Sequence, residues 1–97
     1  MTTAIGFLKW TDEGARTYRE TVQRYEATTK LAERLGVTIS HIYWTPGGPY
    51  DIVCVIEAPD TEKLAAFTLE SQTRGTLRVK WANAYGPDQM RDLLSNA

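Results

Sequence analysis

The sequence predicts an α+β domain in which a four-stranded antiparallel sheet is backed on one face by two helices. Three observations carry this. Strand-like and helix-like segments follow one another as strand, helix, strand, strand, helix, strand. Two of the strands are apolar on both faces, as central strands are, while the other two alternate like half-exposed edges. Glycine, proline and aspartate fall at the junctions, where caps and turns need them.

The first strand is Thr2–Trp10, with Ala4 and Leu8 on one side and Ile5 and Phe7 on the other. After the polar segment TDEGAR comes a long helical stretch, in which Tyr18, Val22, Tyr25, Thr29 and Ala32 recur at spacings of three and four. Glu20/Arg24 and Glu26/Lys30 are acid-before-base pairs on it, worth about 0.3 kcal/mol each. Gly36 stands where a left-handed cap ends such a helix. Val37–Thr45 reads as the second strand and Pro49–Ala58 as the third. Between them, Pro46-Gly47 fits the centre of a type II turn. Pro59 stops the third strand, and Asp60 is an N-cap for a second helix that runs through about Arg74, with Leu64, Ala65, Thr68 and Leu69 as its buried stripe. Thr76–Tyr85 is the fourth strand, alternating Leu77, Val79 and Trp81 against Arg78 and Lys80. Gly86-Pro87 then opens a short amphipathic helix carrying Met90, Leu93 and Leu94. The domain is read as residues 1–86 and the tail helix as residues 87–97.

This βαββαβ order is the split βαβ arrangement of ferredoxin-like domains. Its two helices cover only one face of the sheet. Leaving several apolar side chains wet on the other face would forgo roughly 1.5–3 kcal/mol each. The economical cover is a second copy laid sheet against sheet, so a homodimer or larger assembly is expected.

With 97 residues and a formal charge of −1, the chain is one small domain without a basic face suited to nucleic acid. No apolar run approaches the length of a membrane span, and the N-terminus lacks the order of a signal peptide. The single cysteine, Cys54, excludes an internal disulfide. A cytoplasmic protein is the expectation.

Particular stretches resemble the GYD domain family of small bacterial proteins: Gly48-Pro49-Tyr50-Asp51 at the middle, LKWTDEG after the first strand, QRYEATTKLAERLGV in the first helix, VIEAPD after the third strand, and the closing NAY. The resemblance spans residues 3 to 86. It implies a ferredoxin-like fold of the dimeric α/β-barrel type. It implies no activity and transfers no catalytic residue, because the family is largely uncharacterised.

Few residues suggest chemistry. His41 is the only histidine, and so the only side chain whose ordinary pKa lies near neutrality. Strict strand alternation puts it beside Val37, Ile39 and Tyr43. A pocket between sheet and helices would then be lined by His41, Tyr43 and Trp10 or Trp81, which suits a flat aromatic ligand. Tyr50 and Asp51 point to opposite faces, so they cannot share a site within one subunit. Asp51 reads either as an acceptor for loop amides or as a functional carboxylate. Cys54 reads as a small buried hydrophobe. The lone histidine and cysteine do not make a zinc site, and no cofactor motif is present. The first functional reading is a homo-oligomeric domain binding a small, aromatic ligand or a protein partner, with Trp10, His41, Tyr43, Tyr50, Asp51 and Trp81 as binding candidates. The alternative is a cofactor-independent oxygenase or isomerase with His41 as general base, helped by Tyr43, Tyr50 or Asp51.

Overall fold

The structure, a computed structural model, describes residues 1–97. β1 (Thr2–Trp10) and β3 (Ile52–Ala58) form the middle of the sheet, paired antiparallel with Ile5 opposite Val55 and Phe7 opposite Val53. β4 (Leu77–Asn83) lies on the other side of β1, and β2 (Thr38–Trp44) pairs with β3, giving the order β2-β3-β1-β4. The strands apolar on both faces thus sit inside and the alternating ones at the edges. The chain folds as the ferredoxin-like α+β arrangement expected from the sequence.

α2 (Thr21–Leu35) and α3 (Thr61–Gln72) cover one face. Beneath them Ala4, Leu8, Ile52, Cys54, Ile56 and Ala58 meet Ala32, Val37, Leu64 and Phe67 in a single core. Local signals end these elements as expected. Gly36 takes φ 70° and closes α2, with Val37 N–H donating to the Ala32 carbonyl (2.8 Å). Asp60 Oδ1 accepts the Lys63 amide (2.8 Å) and starts α3. Gly47 has φ 84° and Gly48 N–H donates to the Thr45 carbonyl (2.9 Å), so Pro46-Gly47 is the centre of a type II turn.

Four details depart from the sequence reading. The first helical stretch is broken: α1 (Asp12–Arg16) is followed by a 3₁₀ turn, Tyr18–Glu20, before α2 begins. The cause is a close contact. Gly14 packs against the carbonyl of Thr76, while Thr11 N–H donates to that same oxygen (3.0 Å), so α1 is pinned to the start of β4 and the chain must turn before it lies along the sheet. Tyr18 and Val22 consequently face solvent. The Glu20/Arg24 and Glu26/Lys30 pairs do not form; the ion pairs are Arg16–Glu13 and Arg91–Asp88. Arg24 instead turns inward, to Thr17. In α3 the buried stripe is rotated: Leu64 and Phe67 are buried, whereas Ala65 and Leu69 are exposed.

β2 contains the fourth departure. A bulge between Ile39 and His41 leaves Ser40 as an extra residue, its hydroxyl donating to the Val55 carbonyl (3.1 Å). Ile39 stays opposite Ile56 on the helix side, but His41 falls opposite Val55 on the open side. A one-residue insertion reverses the facing of everything on one side of it. After β4, α4 (Pro87–Ser95) leaves Met90, Leu93 and Leu94 exposed.

Candidate functional site

The two faces of the sheet are chemically different, and each collects part of the sequence-level candidate set. On the helix side, alternate residues of neighbouring strands line up as Ile42, Cys54, Gly6 and Trp81 in one row and Trp44, Ile52, Leu8 and Val79 in the next. Gly6 is where this layer is thinnest. A Cβ there would lie 2.4 Å from Trp81 Cζ3 and 2.7 Å from Cys54 Sγ, so the missing side chain is the space the indole occupies. Trp81 is held in that place by its Nε1–H, which donates to Thr68 Oγ1 on α3 (2.6 Å).

Above this layer, between the sheet and the helix pair, lies a cavity of about 60 Å³. Its floor includes Leu8, Trp10, Cys54 and Trp81. α2 contributes Thr21, Arg24, Tyr25 and Thr28, and α3 contributes Phe67 and Ser71. Thr21, Arg24, Tyr25 and Thr28 recur at i, i+3, i+4 and i+7, one face of a helix. Tyr25 also meets Trp44 edge-on, with ring centroids 5.7 Å apart, and Trp44 Nε1–H donates to Thr21 Oγ1 (2.9 Å). Two of the three indole N–H groups therefore have acceptors. The third, Trp10 Nε1–H, is buried with none.

Of the residues singled out from the sequence, Trp10 and Trp81 line this cavity, and His41, Tyr43, Tyr50 and Asp51 do not. The bulge at Ser40 is the reason for the first two. It turns His41 and Tyr43 to the open face, opposite Val55 and Val53, so the expected grouping of His41 with Val37 and Ile39 around a helix-side pocket is corrected. Tyr50 lies against Phe7, ring centroids 5.2 Å apart, at the border of the open face. Asp51 is committed to the backbone. Its Oδ2 accepts the Trp10 amide (2.8 Å), its amide donates to the Leu8 carbonyl (2.9 Å), and its carbonyl accepts Thr45 N–H (2.9 Å). It ties the hairpin tip to the end of β1. Arg24, Tyr25 and Phe67 were missed as lining residues. The helical spacing of Tyr25 was visible, but the rotation that brings Arg24 inward depends on the α1 corner.

Cys54 sits in the cavity floor and is buried. Desolvation raises its thiol to about pKa 11 from 9.0, with a smaller opposing effect from a backbone hydrogen bond at Gly6. The thiol therefore stays protonated and unreactive at neutral pH. The unfolded thiol ionises first as pH rises, so this group costs nothing below pH 9 and erodes stability between 9 and about 11. Iodoacetamide at pH 8 is expected to label native protein far more slowly than urea-unfolded protein; equal rates would contradict the burial. No group of three His, Cys, Asp or Glu side chains is placed to hold a metal ion.

The open face has four cross-strand rows. Thr38, Glu57 and Thr3 form a polar row at one end. His41, Val55, Ile5 and Ala82 come next, then Tyr43, Val53, Phe7 and Lys80, and Lys9 with Arg78 close the other end. The middle is apolar, one end carries an acid and the other end bases. No helix covers it, and no helix of the chain is long and apolar enough to cross a membrane.

Among curated proteins none matches this sequence. The family model of the GYD domain matches residues 5–94. That is longer than the stretch from 3 to 86 picked out residue by residue, and it reaches into α4. With nearly the whole chain matched and the fold in agreement, the chain belongs to the GYD domain family.

Proposed function

We propose that this GYD domain is a homodimeric binding module that takes a small aromatic ligand in the cavity between its sheet and helices. The observation that carries the reading is the cavity itself, an opening in the core walled by Trp10, Tyr25, Phe67 and Trp81. A core that could be filled by aliphatic side chains is left open instead, which costs packing energy in the absence of an occupant. The enclosed space, about 60 Å³, is under half of the roughly 150 Å³ in which an engineered core cavity takes benzene, so a ring would enter only by spreading the lining or standing partly outside it. A single free thiol, deeply buried, is compatible with a cytoplasmic setting.

Pairing rests on the open face. When two copies meet sheet to sheet about a two-fold axis running across the strands, the Glu57 row of one lies over the Lys9 and Arg78 row of the other. The apolar rows meet in the middle. The charge pattern is thus self-complementary, which favours a second copy over an unrelated partner. Catalysis in the cavity with His41 as base is not supported by this geometry, because the imidazole is on the opposite side of the sheet.

Sedimentation and titration test the two halves. Wild-type protein at micromolar concentration is expected to run as a dimer, and Val55→Lys, which buries a charge at the centre of the pairing face, as a folded monomer. Benzyl alcohol is expected to change indole emission in both. A wild-type monomer would overturn the pairing; unchanged emission up to millimolar benzyl alcohol would overturn the ligand reading.

A further inference from the structure

The charge inventory of the cavity is one-sided. Its lining includes no aspartate, glutamate or histidine, yet it includes one guanidinium, that of half-buried Arg24. Arg24 has no acidic partner, since the ion pairs of the chain involve other residues. Its bonds go to the end of α1: Nη1 donates to Thr17 O (2.9 Å) and Thr17 Oγ1 (3.0 Å), and Nη2 to Gly14 O (3.5 Å). These acceptors carry only partial charge. A guanidinium has five N–H donors and cannot shed its proton, so two donors and the positive charge have no partner within the protein. Trp10, another lining residue, has a buried indole N–H with no acceptor.

The other polar groups do not offset this positive charge. Thr28 Oγ1 donates to the Arg24 carbonyl and Ser71 Oγ to the Phe67 carbonyl, so what these hydroxyls retain is neutral lone pairs, which carry no counter-charge. Thr21 Oγ1 accepts the Trp44 indole N–H and is likewise neutral. A half-buried cation without a counter-charge is costly unless something brings one. A neutral hydrocarbon filling the cavity would leave the charge of Arg24 without a counter-charge.

We propose that the ligand of this cavity is an organic carboxylate, a single-ring acid whose apolar part fills the space between Trp81 and Tyr25 and whose anion is held by Arg24. The inference rests on the ligand reading above and specifies its chemical class. The planar fork of arginine suits the two oxygens of a carboxylate, and an enclosed space of about 60 Å³ limits the rest to at most one ring, part of it outside the cavity or admitted by spreading the lining. Arg24 then has two jobs: three donors hold the corner between α1 and α2, and the remaining two are left for a ligand.

Calorimetric titration with benzoate and with its neutral isostere benzamide separates the possibilities. Wild-type protein is expected to bind benzoate at least about tenfold more tightly than benzamide. Arg24→Gln is expected to lower benzoate affinity to the benzamide level while leaving benzamide unaffected. Benzamide binding as tightly as benzoate to wild-type protein would overturn the carboxylate assignment and leave the ring-binding cavity standing. Binding of neither would overturn the cavity reading and this inference with it. Arg24→Gln loosens the α1 corner as well; should it unfold, the two wild-type titrations still decide.

Discussion

Gly14→Ala is expected to destabilise the fold by about 3 kcal/mol, even though alanine is the better helix former. Gly14 lies inside α1, and helix propensity alone would make the change favourable by about 1 kcal/mol. The tertiary contact argues the other way. An added Cβ would lie 2.1 Å from the carbonyl oxygen of Thr76, which is backbone and has no rotamer to change. Relief requires moving α1 away from β4. That movement strains two hydrogen bonds of Thr11, its amide to the Thr76 carbonyl (3.0 Å) and its hydroxyl to the Gly75 carbonyl (2.6 Å). It also shifts Gly14 and Thr17, whose carbonyls hold Arg24. Urea denaturation gives the sign directly: a stabilised variant would mean that α1 is not pinned as described.

Gly6→Ala is expected to cost about 2 kcal/mol and to disturb the cavity as well. Within a strand, glycine is ordinarily the worse choice by roughly 0.5–1 kcal/mol. Here the new Cβ meets the Trp81 ring at 2.4 Å and the Cys54 sulfur at 2.7 Å. The ring is a rigid plane tethered through Nε1 to Thr68, so it cannot simply swing aside. The expected result is lower stability in urea together with altered Trp81 emission. Wild-type stability would show that the indole has room to move, and the floor of the cavity would lose its fixed shape.

How much of this was legible in the sequence depends on how local each feature is. The placing of β1 and β3 at the centre followed from Ile5 and Phe7 opposing Ala4 and Leu8, and from Val53 and Val55 opposing Ile52, Cys54 and Ile56. Gly36, Asp60 and Pro46-Gly47 acted through their own backbone, so their roles were readable from a few neighbours. The bulge at Ser40 was not. It is a property of the register between β2 and β3, and it turned His41 and Tyr43 away from the cavity that strict alternation had assigned them. The stripe of α3 failed for a related reason. Leu64 with Ala65, Thr68 and Leu69 fits helical spacing as well as Leu64 with Phe67, Thr68 and Ser71 does, and only the position of the sheet chooses between them. Arg24 looked like one half of an exposed pair with Glu20. The short α1, set by Gly14 against Thr76, put backbone carbonyls within its reach instead.

The division of labour between the two faces of the sheet can be read from ring and indole signals in one nuclear magnetic resonance titration with benzoate. The three indole N–H groups are distinguishable in principle, because Trp44 and Trp81 donate to threonine hydroxyls and Trp10 donates to nothing. The expected result is a large shift of the Trp10 and Trp81 signals at the cavity, while the ring protons of His41 and Tyr43 on the open face stay in place. Shifts centred on His41 and Tyr43, with Trp10 and Trp81 unmoved, would put the ligand on the other side of the sheet and contradict the account.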